Sequence, residues 1–591
     1  MTHRPDRFPG GSVCASLLGA AALLATPKSA SGQAIERHLP PAAQPQAPVI
    51  APATLTPSDQ DATPIGPVLS GLVTLGGADP AIGAPGAGVD ISRTPRLKHD
   101  RARLHRFLGR PLSRKLIAQI EAEIANAYRR AGHPFVNLTT PQQEITSGVL
   151  QVRVLEFHLG AKTAPGADAK DAAYIESRVR AQPGDPIDSN LLAQDLDWLN
   201  RFAFRKTDVV FTPAADPGGT DLLLKTTTSA PWSVNIGYAN SGSPLTGWDR
   251  YFGGAATIIP GLNDAVVSYQ FTGSPDVFAN NGTPFDSADA PQYISQAGRI
   301  VIPTLPRQDI EASANFVQSN QPVQKFSDQQ TTLELSLAYR SALSNFAAAL
   351  PGEVLVGIEA KREDSLTTFG GAFVKSDGID VFQLLLGYAF QGNDVLGRTS
   401  GELNLHISPG GIDGLNTGAA FSAFSSGQFD RSTYAYIGGD ITRDTRLPAL
   451  LGVSGFVLVN SVIGQYAPVP VPQTEEMGIG GQSLVRGYTL DDGAFDSAVV
   501  FRNELRAPSF TAMRPDQVSP YAFVDAGYGD SGFSVSQGAY KAVYPVSTGL
   551  GLDYQFGAHF SASLDGAWAL TTAGLTPAGT VRLESRVTLS F

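Results

Sequence analysis

The sequence predicts a transmembrane β-barrel of about sixteen antiparallel strands, preceded by two small periplasmic α/β units. Three observations carry that prediction. The N-terminus has the form of an export signal; a middle stretch repeats apolar residues at helical spacing; and from Trp232 to the last residue the period is two. Composition agrees. Only 16% of the 591 residues are charged, against 42% hydrophobic, and 62 are Gly. That is well under the usual ~25% charge of soluble domains, yet too apolar for disorder and too rich in Gly for a helical bundle.

The elements follow in order. Arg4 and Arg7 form a positive start, Val13 to Ala25 is a compact apolar run, and small residues follow at Ser29-Ala30-Ser31-Gly32. Residues 1–33 read as a cleaved signal, too short to span a bilayer. A lipid anchor on Cys14 does not fit, because the apolar run lies after it. Cys14 is the single Cys, so the mature chain is expected to hold none. A disulfide framework, a Cys-based zinc site and an iron–sulfur cluster are excluded, and no cofactor or metal is implied. Residues 34–65 carry seven prolines and read as an extended linker. No later stretch reaches ~18 uninterrupted apolar residues, so no transmembrane helix is expected.

The first α/β unit spans 66–159. Val68–Leu75 reads as a strand, Ser113 caps a helix bearing Leu116, Ile117, Ile120, Ile124 and Tyr128, and Gly132 ends it. Phe135–Leu138 and Val149–Phe157 read as further strands. The second unit, 160–230, has a helical stretch from Asn190 through Leu199, then strands at Thr207–Thr212 and Asp221–Thr227. Within the first unit the basic segment from Arg93 to Lys115 reads as a solvated loop. It lacks the interleaved aromatics of a nucleic-acid patch, and the formal charge of −11 argues the same way.

The barrel is assigned to 231–591. Leu333, Leu335, Leu337 and Tyr339 alternate with polar partners, as do Phe382, Leu384, Leu386 and Tyr388. In the last strand Val581, Leu583, Val587, Leu589 and Phe591 share one face; Arg582, Glu584 and Arg586 share the other. Apolar-out, polar-in strands of ~10 residues between turn residues are the signature of outer-membrane barrels. A soluble sandwich or propeller would carry more Lys and Glu outside.

Two α/β units before a sixteen-strand barrel resemble the two-partner secretion translocators of the ShlB/FhaC/HecB family, in the BamA/TpsB superfamily of barrels with POTRA domains. Specific residues carry the resemblance. Val485-Arg486-Gly487-Tyr488 looks like the family loop between strands eleven and twelve that folds back into the lumen. Phe523-Val524-Asp525-Ala526-Gly527 is similar to the strand-thirteen motif whose Asp pairs with the loop Arg. Gly184-Asp185-Pro186-Ile187 and Leu199-Asn200-Arg201 resemble the second POTRA domain, and Tyr128–Gly132 a helix end in the first. One feature departs: Ile35–Leu39 meets Pro40-Pro41 at once, which puts the family's N-terminal plug helix in doubt.

The resemblance implies a non-enzymatic outer-membrane pore. Its partners would be a large secreted exoprotein (a TpsA-like client), outer-membrane lipids and the outer-membrane assembly machinery, with no nucleic acid. Phe591 would be the assembly signal. A wide barrel needs closing, and an Arg–carboxylate fork between Arg486 and Asp525 anchors a loop where water is scarce. Rivals are a barrel-assembly factor, a barrel lipase or protease, and a passive porin. Gly529-Asp530-Ser531-Gly532 imitates a serine-protease signature, but Phe533 breaks it and His406 and His559 stand isolated in strands. Neither a P-loop nor His-Glu-x-x-His occurs.

Overall fold

The computed structural model describes residues 57–591, apart from 84, 202–203, 217, 260, 279–290, 324–325, 348–349, 451 and 532–541. The expected signal, most of the linker, the plug segment and Gly532 lie outside the described residues. Sixteen long strands, β1 (Trp232–Ala239) to β16 (Val581–Ser590), each pair antiparallel with the next. The barrel closes where Asn235 to Ala239 of β1 meet Ser590 to Arg586 of β16. A two-residue strand, Ala542–Val543, adds a short pairing at the end of β13 (Asp516–Asp530).

The alternation becomes a two-faced wall. On β6 (Phe326–Ala342) Leu333, Leu335, Leu337 and Tyr339 are exposed on the outside. On β8 (Ala372–Asn393) Leu384, Leu386 and Tyr388 are exposed, while Val381 and Gln383 are buried inside. This inversion is stable only against hydrocarbon, where the outer band needs no water. Among the described residues no helix is long and apolar enough to cross a membrane.

The first α/β unit is a four-stranded sheet in the order 88–90, 71–76, 149–156, 136–139. Helix α1 (Arg114–Arg130) packs on it, with the Ser113 hydroxyl accepting from Leu116 N at 3.2 Å as cap. Leu72, Leu104, Ile120, Ile124 and Leu150 are sealed between sheet and helix. The basic segment departs from the expected loop. It holds a 3-10 turn, Pro95–Leu97, and a short helix, Arg101–His105, because Leu97, Leu104, Phe107 and Leu112 alternate with its charges and enter this core. Its cations lie outward in ion pairs, Arg106 with Glu123 and Arg96 with Glu156.

The second unit orders its strands 158–163, 219–228, 205–213 under α2 (Ala169–Arg178) and α3 (Ser189–Asn200). Helix α2 went unread in the sequence, since only Ile175 of its residues is fully buried. Asp168 and Asp188 cap the two helices through their carboxylates. The units join where Gly132, at φ +85°, turns its carbonyl toward Ser189 N at 2.7 Å.

The second unit sits against three turns at one barrel mouth. Tyr174 donates to Asn263 O, Arg178 to Thr304 O and Arg180 to Ser344 Oγ, in the turns after β2 (Arg250–Ile259), β4 (Tyr293–Pro303) and β6. Loops after odd strands, including the one after β11 (Val457–Tyr466), therefore open at the other end.

Candidate functional site

The connection from β11 to β12 (Ser497–Arg506) runs from 467 to 496 and turns into the lumen. Two short strands, Met477–Gly478 and Ala494–Phe495, pair at its base. Ile479, Leu484, Val485 and Tyr488 then pack with Ile463, Val500, Val543 and Ala569 on the inner wall. The glycines have work to do here. Gly487 has φ +85°, where a Cβ would also meet Ala567 Cβ at 3.1 Å. Facing it, a Cβ on Gly527 of β13 would meet Ile479 and Val485 at 3.0 and 3.1 Å, so the loop lies directly on that strand.

Arg486, 1% exposed, reaches Asp525, 0% exposed. Its Nε donates to Oδ2 at 2.7 Å and one terminal nitrogen to Oδ1 at 2.8 Å, a bidentate fork. Its other terminal nitrogen donates to Glu504 of β12 at 2.9 Å and lies 3.7 Å from Asp565 of β15 (Phe560–Ala569). The guanidinium carbon stands 3.7 Å from the centre of the Phe523 ring. Charge, planarity and ring stacking all select Arg over Lys at this point. Asp525 shares the inward face of β13 with Tyr521 and Phe523, whereas Val524 is exposed outside.

The neighbours extend the anchor. Gly487 N donates to Glu584 of β16 at 3.1 Å, and the Tyr488 hydroxyl lies 2.6 Å from Thr571 O. Val485 is fully buried in the apolar cluster. Phe591 stands elsewhere: its N donates to Val234 O at 2.8 Å and Val234 N to its carbonyl at 3.0 Å, so it extends the β1–β16 seam, with the residue 60% exposed.

Comparisons with known proteins point the same way. Residues 395–552, which hold both motifs, match the model for the haemolysin secretion/activation protein ShlB/FhaC/HecB; residues 87–156 match the ShlB-type POTRA domain. These stretches make the chain similar to the ShlB/FhaC/HecB family over its first α/β unit and much of the second half of its barrel. It is a closed sixteen-strand outer-membrane β-barrel with its POTRA region in the periplasm. The chain is 22% identical over 150 residues to the outer membrane transporter CdiB of Dickeya dadantii (strain 3937), a match spanning 25% of the chain and only 26% of that relative. The solved structure of CdiB from Escherichia coli covers 92% of the chain, and the chain 93% of it, at TM-score 0.62 and 16% identity. CdiB from Acinetobacter baumannii gives TM-score 0.56 at 14% identity, with 94% and 95% covered. These likenesses show the fold.

The motifs read in the sequence include Arg486 and Asp525 but leave other charged groups unread. Glu504, Asp565 and Glu584 were visible in sequence only as polar positions inside alternating strands. A second group lies three to six strands from β13, on β7 (Glu353–Phe369) and β10 (Tyr434–Arg446). Glu475, fully buried in the first arm of the loop, accepts from Lys361 Nζ of β7 at 2.6 Å and from the Tyr436 hydroxyl of β10 at 2.6 Å. Thr474 beside it donates to Glu363.

A third group ties the second α/β unit to the barrel. Arg201, 7% exposed, bonds Asp197 of α3 and Glu353 of β7, and stacks 3.9 Å from the Trp198 ring. Asp195, 1% exposed, takes Arg180 and Arg307 at 2.9 and 2.8 Å. Burial pushes the Asp197 carboxyl up, and the Arg201 guanidinium opposes that shift. Leu199-Asn200-Arg201 was singled out as a motif, and its Arg is the residue that reaches the barrel. Among the described residues no cluster of His, Cys, Asp or Glu is arranged to hold a metal.

Proposed function

We propose that this chain is an outer-membrane pore that takes an unfolded partner protein from the periplasm and secretes it without nucleotide hydrolysis. The observation that carries the reading is the loop pinned inside a wide charged lumen by Arg486, above a mouth where the second POTRA unit is docked by Arg201. Such a barrel is closed at rest and coupled to a periplasmic receiver. The receiver offers two partly open sheet edges, 158–163 beyond Leu159, which bonds 184–185, and 205–213 beyond Thr207, which the Asn200 side chain caps. An unfolded chain adds to such an edge through main-chain hydrogen bonds, while pockets beside it choose among sequences. The client is a large exoprotein, in keeping with relatives named as CdiB transporters. His406 is engaged with Glu359 and Gln383, and His559 with Ser590 O. Both bonds favour structural roles over a hydrolytic one.

The loop anchor is tested by secretion. Arg486→Ala leaves Asp525 as an uncompensated charge, which costs up to ~3–5 kcal/mol at a dry site. We expect the barrel to reach the membrane, the loop to lose its seat, and secreted client per inserted barrel to fall sharply. Asp525→Ala behaves the same way, and the double variant is little worse than either, because coupled partners are non-additive. Additive losses in the three variants would falsify the pairing.

Phe591 is the assembly signal in this reading. Its outward ring supplies only ~2–3 kcal/mol of burial against lipid. Deleting it is expected to lower membrane levels far more than that loss predicts. Wild-type levels on an immunoblot of outer membranes would reject the role.

A further inference from the structure

Among the contacts of the loop from 467 to 496, two buried ion-pair seats stand out, and they are built differently. At the Arg486 seat, one guanidinium makes two bonds to Asp525 and a third to Glu504, over the Phe523 ring. Losing it strands Asp525, which has no exposed surface. At the Glu475 seat, a lysine replaces the fork. An ammonium on a four-carbon stem is a mobile point charge that repairs easily with another acid. Glu334 of β6 lies 3.7 Å from Lys361 Nζ, already within ion-pair distance. When Glu475 withdraws, Lys361 keeps a carboxylate and the freed carboxylate gains water. The Tyr436 hydroxyl loses its acceptor, but its ring stays stacked on His406 at 4.6 Å.

The backbone supports the same division. Between the seats the chain passes Met477–Gly478 and Gly480-Gly481, with Gly481 at φ +124° and open space around its α-carbon. The first arm rests on β8 and β10 through Ala467 and Val471, which pack with Ile379, Val381 and Tyr434. The second arm is sealed into the wall of β12 to β16. Lys361 on β7 and Asp525 on β13 are six strands apart in a ring of sixteen, with Tyr436 of β10 between them, so the loop forms a bar across part of the lumen.

We propose that Glu475 and Lys361 are the releasable seat of this bar: the pore opens by withdrawal of the Glu475 end while the Arg486 end stays fixed as the pivot. Tyr436 is a positioning residue that aims the carboxylate at the lysine. The proposal rests on the pore reading above, but not on the client. Conductance is therefore measured with no client present, and a failure of the secretion reading leaves this test intact.

The experiment uses the full chain in planar lipid bilayers, after heat-modifiable mobility has shown that each variant is assembled. Glu475→Gln keeps the shape and removes the charge; Lys361→Ala removes the partner. Both are expected to raise open probability or single-channel conductance severalfold. Lys361→Arg, which restores a cation, is expected to return it toward wild type. Tyr436→Phe, which removes one hydroxyl, gives a smaller rise and serves if Glu475→Gln does not assemble. In all of them, proteolysis of the segment around Arg486 stays as in wild type. Unchanged conductance in assembled Lys361→Ala and Tyr436→Phe overturns the proposal. So does a rise in Lys361→Ala that Lys361→Arg fails to reverse, because a general loosening of the barrel would behave that way.

Discussion

The first POTRA unit and the barrel are both built on β-sheet, yet they bury charge and apolar surface in different places. In the POTRA unit Leu72, Leu104, Ile120 and Leu150 have no more than 1% exposure, and the cations of Arg93 to Lys115 face outward. In the barrel the inward positions are Arg486, Asp525, Lys361 and Glu475, and the exposed ones are Leu335, Ile358 and Leu384. The difference teaches that the interior of each part is set by what lies outside it. Against water, apolar side chains leave the surface; against lipid, they form it and polar groups pair inside. Charges buried in the lumen are therefore not a core. They hold the loop in one place, because each pair is directional and costly to break on one side.

The largest expected effect that sharpens this contrast lies in the POTRA core. Leu150→Ala leaves a cavity in a closed apolar interior and should cost about 2–5 kcal/mol. The full-length protein is expected to become protease-sensitive within residues 66–159 at lower temperature, while the barrel keeps its heat-modifiable band. Cleavage at the wild-type temperature would mean that this core is looser than its burial suggests.

The barrel should respond to the opposite change. Leu335→Arg places a charge in the outer apolar band, at about 2–4 kcal/mol near the bilayer midplane. On the neighbouring inward position, Ser336→Arg adds the same charge to the lumen and should cost much less. The folded fraction of each in urea, after insertion into vesicles, reads the difference. Equal losses would break the assignment of faces.

The smallest effect belongs to the joint between the two α/β units. His133 is 7% exposed, 3.9 Å from Asp188, and burial pulls its pKa down, with Arg96 adding to the shift. A His whose folded pKa is depressed binds fewer protons folded than unfolded. It therefore contributes stability above its ordinary value of ~6.5, and loses it as pH falls through that value toward the depressed one. Protease cleavage at the joint should rise just below pH ~6.5, and His133→Gln should flatten that rise. A wild-type profile with no change there would show that the ring accepts its proton without strain.

Some of this was legible from residues alone. The two-residue period from Trp232 onward, the low charge and the helical stripe of α1 are local patterns, since each depends only on which side a residue faces and what that side meets. Val485–Tyr488 and Phe523–Gly527 were legible as motifs through the family resemblance, and their meeting rested on it. Helix α2 and the fold of the basic segment were missed, because a helix with one buried face residue and a charged stretch with interspersed leucines both look solvated in sequence.

What only the tertiary structure decided is which distant residues share a point. Arg486 is 39 residues from Asp525 but also meets Glu504, and Gly487 meets Glu584, 97 residues on. Lys361 and Glu475 are 114 apart, and Arg201 and Glu353 are 152 apart. Alternation says that the strand partners, Asp525, Glu504, Glu584, Lys361 and Glu353, point inward. It does not say at what height or beside what neighbour, because those follow from strand register and from the closing of sixteen strands into a ring.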